Sequence, residues 1–272
     1  MIENPVLYKE LVLRYRLRQQ KPVVIGGFLV FLLCVITIYW MIGVHWLLGD
    51  PSPETGRAAW TVVMMVQYLL ICLIAPVITA NAITQEKEQQ TWEMLLFTPL
   101  TAKEVILGKL AARMMVIPLL LAIFLPLSLF CWAHATVVGV GSSSYVSPVQ
   151  FLAAYLVTAI SALLFGTFGL LMSWRFKRTL YAIMSSYTFV VGGLIIGTVM
   201  ITSVLTMLMS EHYIQEHSPL LWINPVMLMY WAMDPGDSGY ASRYLLYGLL
   251  IYSFAIVLML FIMITNFRRA TD

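Results

Sequence analysis

Five stretches of the chain, residues 22–49, 58–85, 114–174, 179–210 and 244–267, contain no Asp, Glu, Lys or Arg. A helix needs about 20 apolar residues to cross the hydrocarbon core of a bilayer. Each stretch is long enough. The third is too long for one crossing, and its small, polar run at 139–144, ahead of Pro148, divides it in two. The expected spans are therefore six, near 22–48, 58–83, 112–133, 149–174, 179–209 and 244–267. Composition agrees. Charged residues are 11% of the chain and the apolar set 61%, whereas soluble domains carry about 25% charged residues. The expected fold is all-α and integral to a membrane, a single domain over residues 1–272.

The basic residues orient these spans. With the N-terminus placed inside, only Arg57 and Arg243 of the 16 lysines and arginines fall on outer loops. That asymmetry is the positive-inside pattern, and it puts both termini in the cytoplasm of a cell, expected to be bacterial. Cys34, Cys72 and Cys131 each sit inside an apolar run, are odd in number and form no CxxC pair. They read as reduced, packed thiols. The first apolar run begins at Pro22 and exceeds the core of a cleavable signal, about 7–15 residues.

Residues 1–21 combine Asn4 and Pro5, a good helix start, with alternating apolar and basic residues. They read either as an interfacial helix with arginines toward anionic headgroups or as a topogenic basic flank. The fifth span, at 1.5 Å per residue, is longer than the core is thick and must tilt or project. The loop 211–242 behind it holds a second apolar stretch, 220–233, too short to cross and interrupted at Asn224-Pro225. It reads as one or two short helices at, or dipping into, the outer leaflet.

Between the second and third spans lies the most structured loop, 84–109. Residues 86–97 read as one helix with an acidic start, which suits the helix dipole, and an apolar patch of Trp92, Leu95 and Leu96. Pro99 disfavours helix at Thr98. Thr101 and Glu104 then form a capping box that opens the next helix. A simple reversal needs only a few residues, so this elbow reads either as a docking surface or as a helix lying on lipid. In the fifth span Gly193 and Gly197 form GxxxG, a spacing that lets helices approach closely; it serves either a path or partner, or ordinary internal packing.

Some chemistry is missing from the pattern. No ionisable Asp, Glu, Lys or Arg lies deep in a span, which disfavours an ion-coupled carrier. No acid–base pair, nucleophile triad or metal cluster stands out, so no catalytic, cofactor-binding or metal-ligating residue is expected. The phosphate-loop pattern is missing as well: Gly108-Lys109 lacks the earlier glycine and the following hydroxyl.

The run Glu86-Lys-Glu-Gln-Gln-Thr91-Trp-Glu93-Met-Leu95-Leu96-Phe-Thr98-Pro99-Leu100-Thr101, followed by Glu104 and Gly108-Lys109, resembles the cytoplasmic elbow of ABC-2 type permeases, the membrane subunits of ATP-driven exporters. Gln90 stands where that family usually has glycine and Trp92 where it has leucine, and Gln90 suggests a straighter helix. The N-terminal Asn4-Pro5-Val with Lys9-Glu10-Leu11, the six spans and the long outer segment before the last are also similar. The resemblance implies a permease that forms the substrate pathway as a homo- or heterodimer. It implies separate ATP-binding subunits that carry ATP and Mg and dock on the elbow. Glu86, Glu88, Thr91, Trp92, Glu93, Leu95, Leu96, Thr98 and Pro99 would be the coupling residues, with Gln67, Gly193 and Gly197 toward the partner or path. The competing reading is a carrier or channel that works without an ATPase.

Overall fold

The structure, a computed structural model, describes residues 53–92, 100–138, 145–193, 223–233 and 240–267, with single positions between 33 and 44 and between 197 and 203. The expected N-terminal interfacial helix, most of the first span, elbow residues 93–99, the second part of the fifth span and residues 268–272 lie outside the described residues.

The described chain runs α1 (Pro53–Ala80), α2 (Thr84–Glu88), α3 (Ala102–Met114), α4 (Val116–Val138), α5 (Pro148–Arg175), α6 (Thr179–Val191), α7 (Pro225–Met233) and α8 (Tyr240–Thr265). No strand occurs among the described residues. Four helical segments, Glu54–Glu88, Ala102–Thr136, Pro148–Arg175 and Ser242–Thr265, are long and apolar enough to cross a membrane. They fall on the second, third, fourth and sixth expected spans, while α6 covers the start of the fifth. The protein is an all-α membrane protein.

α1 is the centre of the bundle. Trp60, Met64, Tyr68, Ile71, Cys72 and Ala75 recur three or four residues apart, the spacing of one helix face, and all are fully buried. That face packs most extensively on α5, then on α4 and α6. α1 and α5 approach closely at Gly169 of α5, where a Cβ would lie 2.3 Å from Thr79 Oγ1 and 2.7 Å from the carbonyl oxygen of Pro76. α8 is the opposite case. Leu246, Leu250, Phe254, Val257 and Phe261 stand exposed along it among the described residues, a stripe suited to apolar surroundings and not to water.

Local chemistry sets the helix boundaries. The expected capping box forms: Thr101 N–H donates to Glu104 Oε2 at 2.8 Å, and Glu104 N–H to Thr101 Oγ1 at 3.4 Å. The third span is not one continuous helix, because a turn at Met115 separates α3 from α4. Pro118 accounts for it, since a proline ring clashes with the carbonyl four residues back, here Met114. A second capping box, Ser147 with Gln150 and Pro148 in the first turn, opens α5.

Within the stretch 220–233 the structure describes residues 223–233, and they hold one short helix, as expected. Asn224-Pro225 opens that helix: Asn224 Oδ1 accepts the N–H groups of Val226 and Met227 at 2.9 and 3.2 Å. Leu228, Met229, Ala232 and Met233 are buried, so α7 is packed into the bundle and not laid on its surface. Its entry sits midway along α1. The Tyr68 hydroxyl donates to the Pro225 carbonyl at 2.8 Å, and the Tyr252 hydroxyl to the Ile223 carbonyl at 2.9 Å. Irregular backbone at membrane depth needs such internal partners.

Candidate functional site

The elbow begins where α1 ends. Its helix α2 has no capping side chain of its own; Ile83, at the N-cap position, has none to offer. The cap comes from α5. Ser173 Oγ accepts the backbone N–H groups of Ile83 and Thr84 at 2.8 and 3.0 Å. In return, Lys87 Nζ donates to the carbonyl of Trp174 and, at 3.4 Å, to that of Phe176, at the C-terminal end of α5. Glu88 Oε1 accepts the backbone N–H of Thr179 at 2.6 Å, the first residue of α6, whose N-cap residue Arg178 gives no side-chain bond. Thr179 Oγ1 donates to Thr84 Oγ1 at 3.0 Å. A lysine at a helix C-terminus and a glutamate at a helix N-terminus both match the dipole there. Adjacent residues of opposite charge thus close the two ends that meet at the α5–α6 turn.

The elbow helix is not continuous as expected: α2 stops at Glu88, residues 89–91 turn, and Trp92 is helical again at the edge of the described residues. Gln90 N–H donates to Lys87 O at 3.2 Å and Thr91 N–H to Glu86 O at 2.9 Å, the paired bonds of a Schellman motif. Gln90 takes φ 58°, the left-handed region that glycine enters at no steric cost. The expectation that Gln90 straightens the helix is therefore reversed: the turn survives the loss of glycine, and glutamine adopts the glycine conformation. Thr91 is exposed, and its hydroxyl also points to Glu86 O at 3.4 Å.

The other elbow side chains turn toward the bundle. Glu86 Oε1 pairs with Lys109 Nζ at 2.6 Å; Lys109 is 1% exposed and Glu86 27%. Lys109 Nζ also donates to the Ala82 carbonyl at 3.3 Å. Nearby, Arg113 Nη1 donates to Asn81 Oδ1 at 2.8 Å. Trp92 is buried, edge-on to Phe267 beyond α8 with centroids 5.3 Å apart. Lys87 Nζ lies 5.9 Å from the Trp92 ring centroid. Glu93, Leu95, Leu96, Thr98 and Pro99 lie outside the described residues.

The residues expected at a partner or pathway face are not brought to the elbow. Gln67 is fully buried within one chain, its amide near the Tyr155 hydroxyl but without a regular hydrogen bond among the described residues. Gly193 has no described atom within 4 Å of a built Cβ, and Gly197 meets only the Gly192 carbonyl at 3.1 Å. Among the described glycines, those pressed against another helix are Gly56, Gly166 and Gly169.

Sequence reasoning missed Lys87, Lys109, Ser173 and Thr179 as parts of this site. Lys109 left a trace, as the one lysine in the Gly-Lys pair following the elbow. The other contacts join residues about ninety positions apart, where no spacing rule reaches.

Two comparisons with known proteins bear on this geometry. A family model described as "ABC-2 family transporter protein" matches residues 9–268. No curated protein matches the sequence.

Proposed function

The chain belongs to the ABC-2 family of transporter proteins, and from that premise, a membrane permease of an ABC transporter, we propose the finer reading. Two permease chains, identical or similar, form the substrate pathway in a cell membrane, with both termini on the cytoplasmic side. Separate ATP-binding subunits hold ATP and Mg and hydrolyse it; this chain does not. They dock at the elbow, and the direction of transport is export. The observation that carries the coupling role is the fixing of a short elbow helix to the ends of α5 and α6 by Ser173, Lys87 and Glu88. A loop that merely reversed direction would need none of these bonds. Because Glu86 and Trp92 face Lys109 and Phe267, the surface left to a partner among the described elbow residues is Gln85, Glu88, Gln89, Gln90 and Thr91, all exposed.

Affinity purification of the tagged chain from native membranes tests this. A co-purifying P-loop ATPase, with ATP hydrolysis by the complex and none by the permease alone, is the expected result. A chain that purifies without any ATPase, or that hydrolyses ATP alone after contaminants are removed, overturns it. Single cysteines at Ser143 and Lys177, in a background without the native three, report orientation. They should label from opposite sides with an impermeant thiol reagent.

A further inference from the structure

We infer that the elbow drives the start of α6 directly, through Glu88 and Lys87 acting as positioning residues, so that the elbow and the α5–α6 turn move as one body. This rests on the reading of the elbow as the ATPase-docking element. Covalently, the elbow is continuous only with α1 before it and, through residues 93–101, with α3 after it. Among the described residues, a push carried along the chain and its packed helices would reach α6 by way of α1 and α5. The exchanged caps supply a shorter route. Ser173 of α5 holds the first N–H groups of α2, Lys87 of α2 holds the last carbonyls of α5, and Glu88 holds the first N–H of α6. The Thr179–Thr84 hydroxyl pair closes the same junction from its buried side.

Direction and charge both favour a clamp over chance contact. α6 has no N-terminal cap from its own flanking residue, so Glu88 satisfies a donor that the helix leaves open. The Lys87 ammonium and Glu88 carboxylate are sequence neighbours, and each faces the helix end of opposite partial charge. Bonds at helix ends, unlike apolar contacts along a helix flank, resist both sliding and rotation of the helix they cap. The driven helix continues past Val191 into wider turns at Gly192 and Gly193, which the described residues leave uncrowded.

The test uses the permease assembled with its ATPase in liposomes, in a background lacking Cys34, Cys72 and Cys131. Nitroxide labels are placed singly at Met184→Cys on α6 and Val62→Cys on α1, both on exposed positions. ATP with vanadate is expected to change the spectrum at both sites in the otherwise unmodified complex. Glu88→Ala should abolish the change at Met184 while leaving that at Val62. Adding Thr84→Cys and Thr179→Cys, whose hydroxyls already lie 3.0 Å apart, should restore the Met184 response when oxidised and lose it again in dithiothreitol. In that arm the Met184 site is labelled, after the disulfide has formed, with an iodoacetamide nitroxide, whose thioether link survives dithiothreitol. Restoration by the disulfide shows that the Glu88→Ala chain is folded and assembled. An unchanged Met184 response in assembled Glu88→Ala complex, or rescue that ignores the redox state, overturns the inference alone. Failure of the unmodified chain to bind any ATPase overturns the functional reading and the inference together.

Discussion

The carboxylate of Glu88 lies 2.6 Å from the backbone N–H of Thr179, ninety-one residues further along the chain. It caps a helix that has no cap of its own. Loss of an N-capping side chain costs about 1 kcal/mol, so Glu88→Ala should lower the melting temperature of the purified permease in detergent. Glu88→Asp or Glu88→Gln, which keep an acceptor oxygen, should recover part of the loss. Equal melting of Glu88→Ala and the unmodified protein would show that the cap contributes nothing.

Glu86 and Lys109 form an unequal pair, with the cation almost wholly buried and the anion partly solvated. Removing one partner of a buried pair costs about 3–5 kcal/mol, because the other charge is left uncompensated, while replacing the buried charge by an apolar side chain of similar volume is often neutral. Glu86→Gln should therefore destabilise more than Lys109→Met does, with the first toward the lower end of that range because Glu86 is partly exposed. Thermal unfolding followed by tryptophan fluorescence decides it. The reverse order would mean that Glu86 is not the counter-charge of Lys109.

At Gln90 the prediction is a gain. A left-handed conformation costs a non-glycine residue about 1–2 kcal/mol, and φ at Gln90 is 58°. Gln90→Gly should leave the melting temperature equal or higher. Gln90→Val, whose branched Cβ fits that region worst, should lower it. If valine and glycine behave alike, the turn does not hold Gln90 at positive φ.

Whatever depends on neighbours in the chain was legible in the sequence. The apolar runs place α1, α4, α5 and α8, and the Thr101–Glu104 box marks the start of α3. What depends on distant partners was not. Glu88 reads as an exposed acidic residue until Thr179 is beside it, and Lys109 reads as a cytoplasmic cation until Glu86 and Ala82 surround it. The extent of the elbow helix was misjudged for a different reason. Residues 86–97 hold no proline or glycine, so propensity alone carries the helix through. The position of Gln90, where related elbows carry glycine, was the one local sign that the backbone there turns left-handed. Likewise GxxxG drew attention to Gly193 and Gly197, although among the described residues the crowded helix contacts are made at Gly56, Gly166 and Gly169. The spacing announces that close approach is permitted, not where a partner helix lies.

The two glycine sites separate cleanly under substitution. At Gly169 an added Cβ would meet Thr79 Oγ1 at 2.3 Å and the Pro76 carbonyl oxygen at 2.7 Å. The second of these is backbone and cannot swing aside, so α1 and α5 must part. Overpacking of this kind costs about 1–3 kcal/mol. At Gly193 no described atom lies within 4 Å of an added Cβ, and alanine is a better helix former than glycine by about 1 kcal/mol. Gly169→Ala is therefore expected to lower the melting temperature of the detergent-purified chain, and Gly193→Ala to leave it unchanged or raise it. The same pair bears on assembly. If Gly193 faces a second permease chain, Gly193→Ala will shift the dimer-to-monomer ratio in size-exclusion light scattering without lowering the melting temperature of the monomer. If it faces lipid, neither quantity will fall. A destabilised Gly193→Ala monomer beside a normal Gly169→Ala would contradict the helix contacts assigned to α5 and α6.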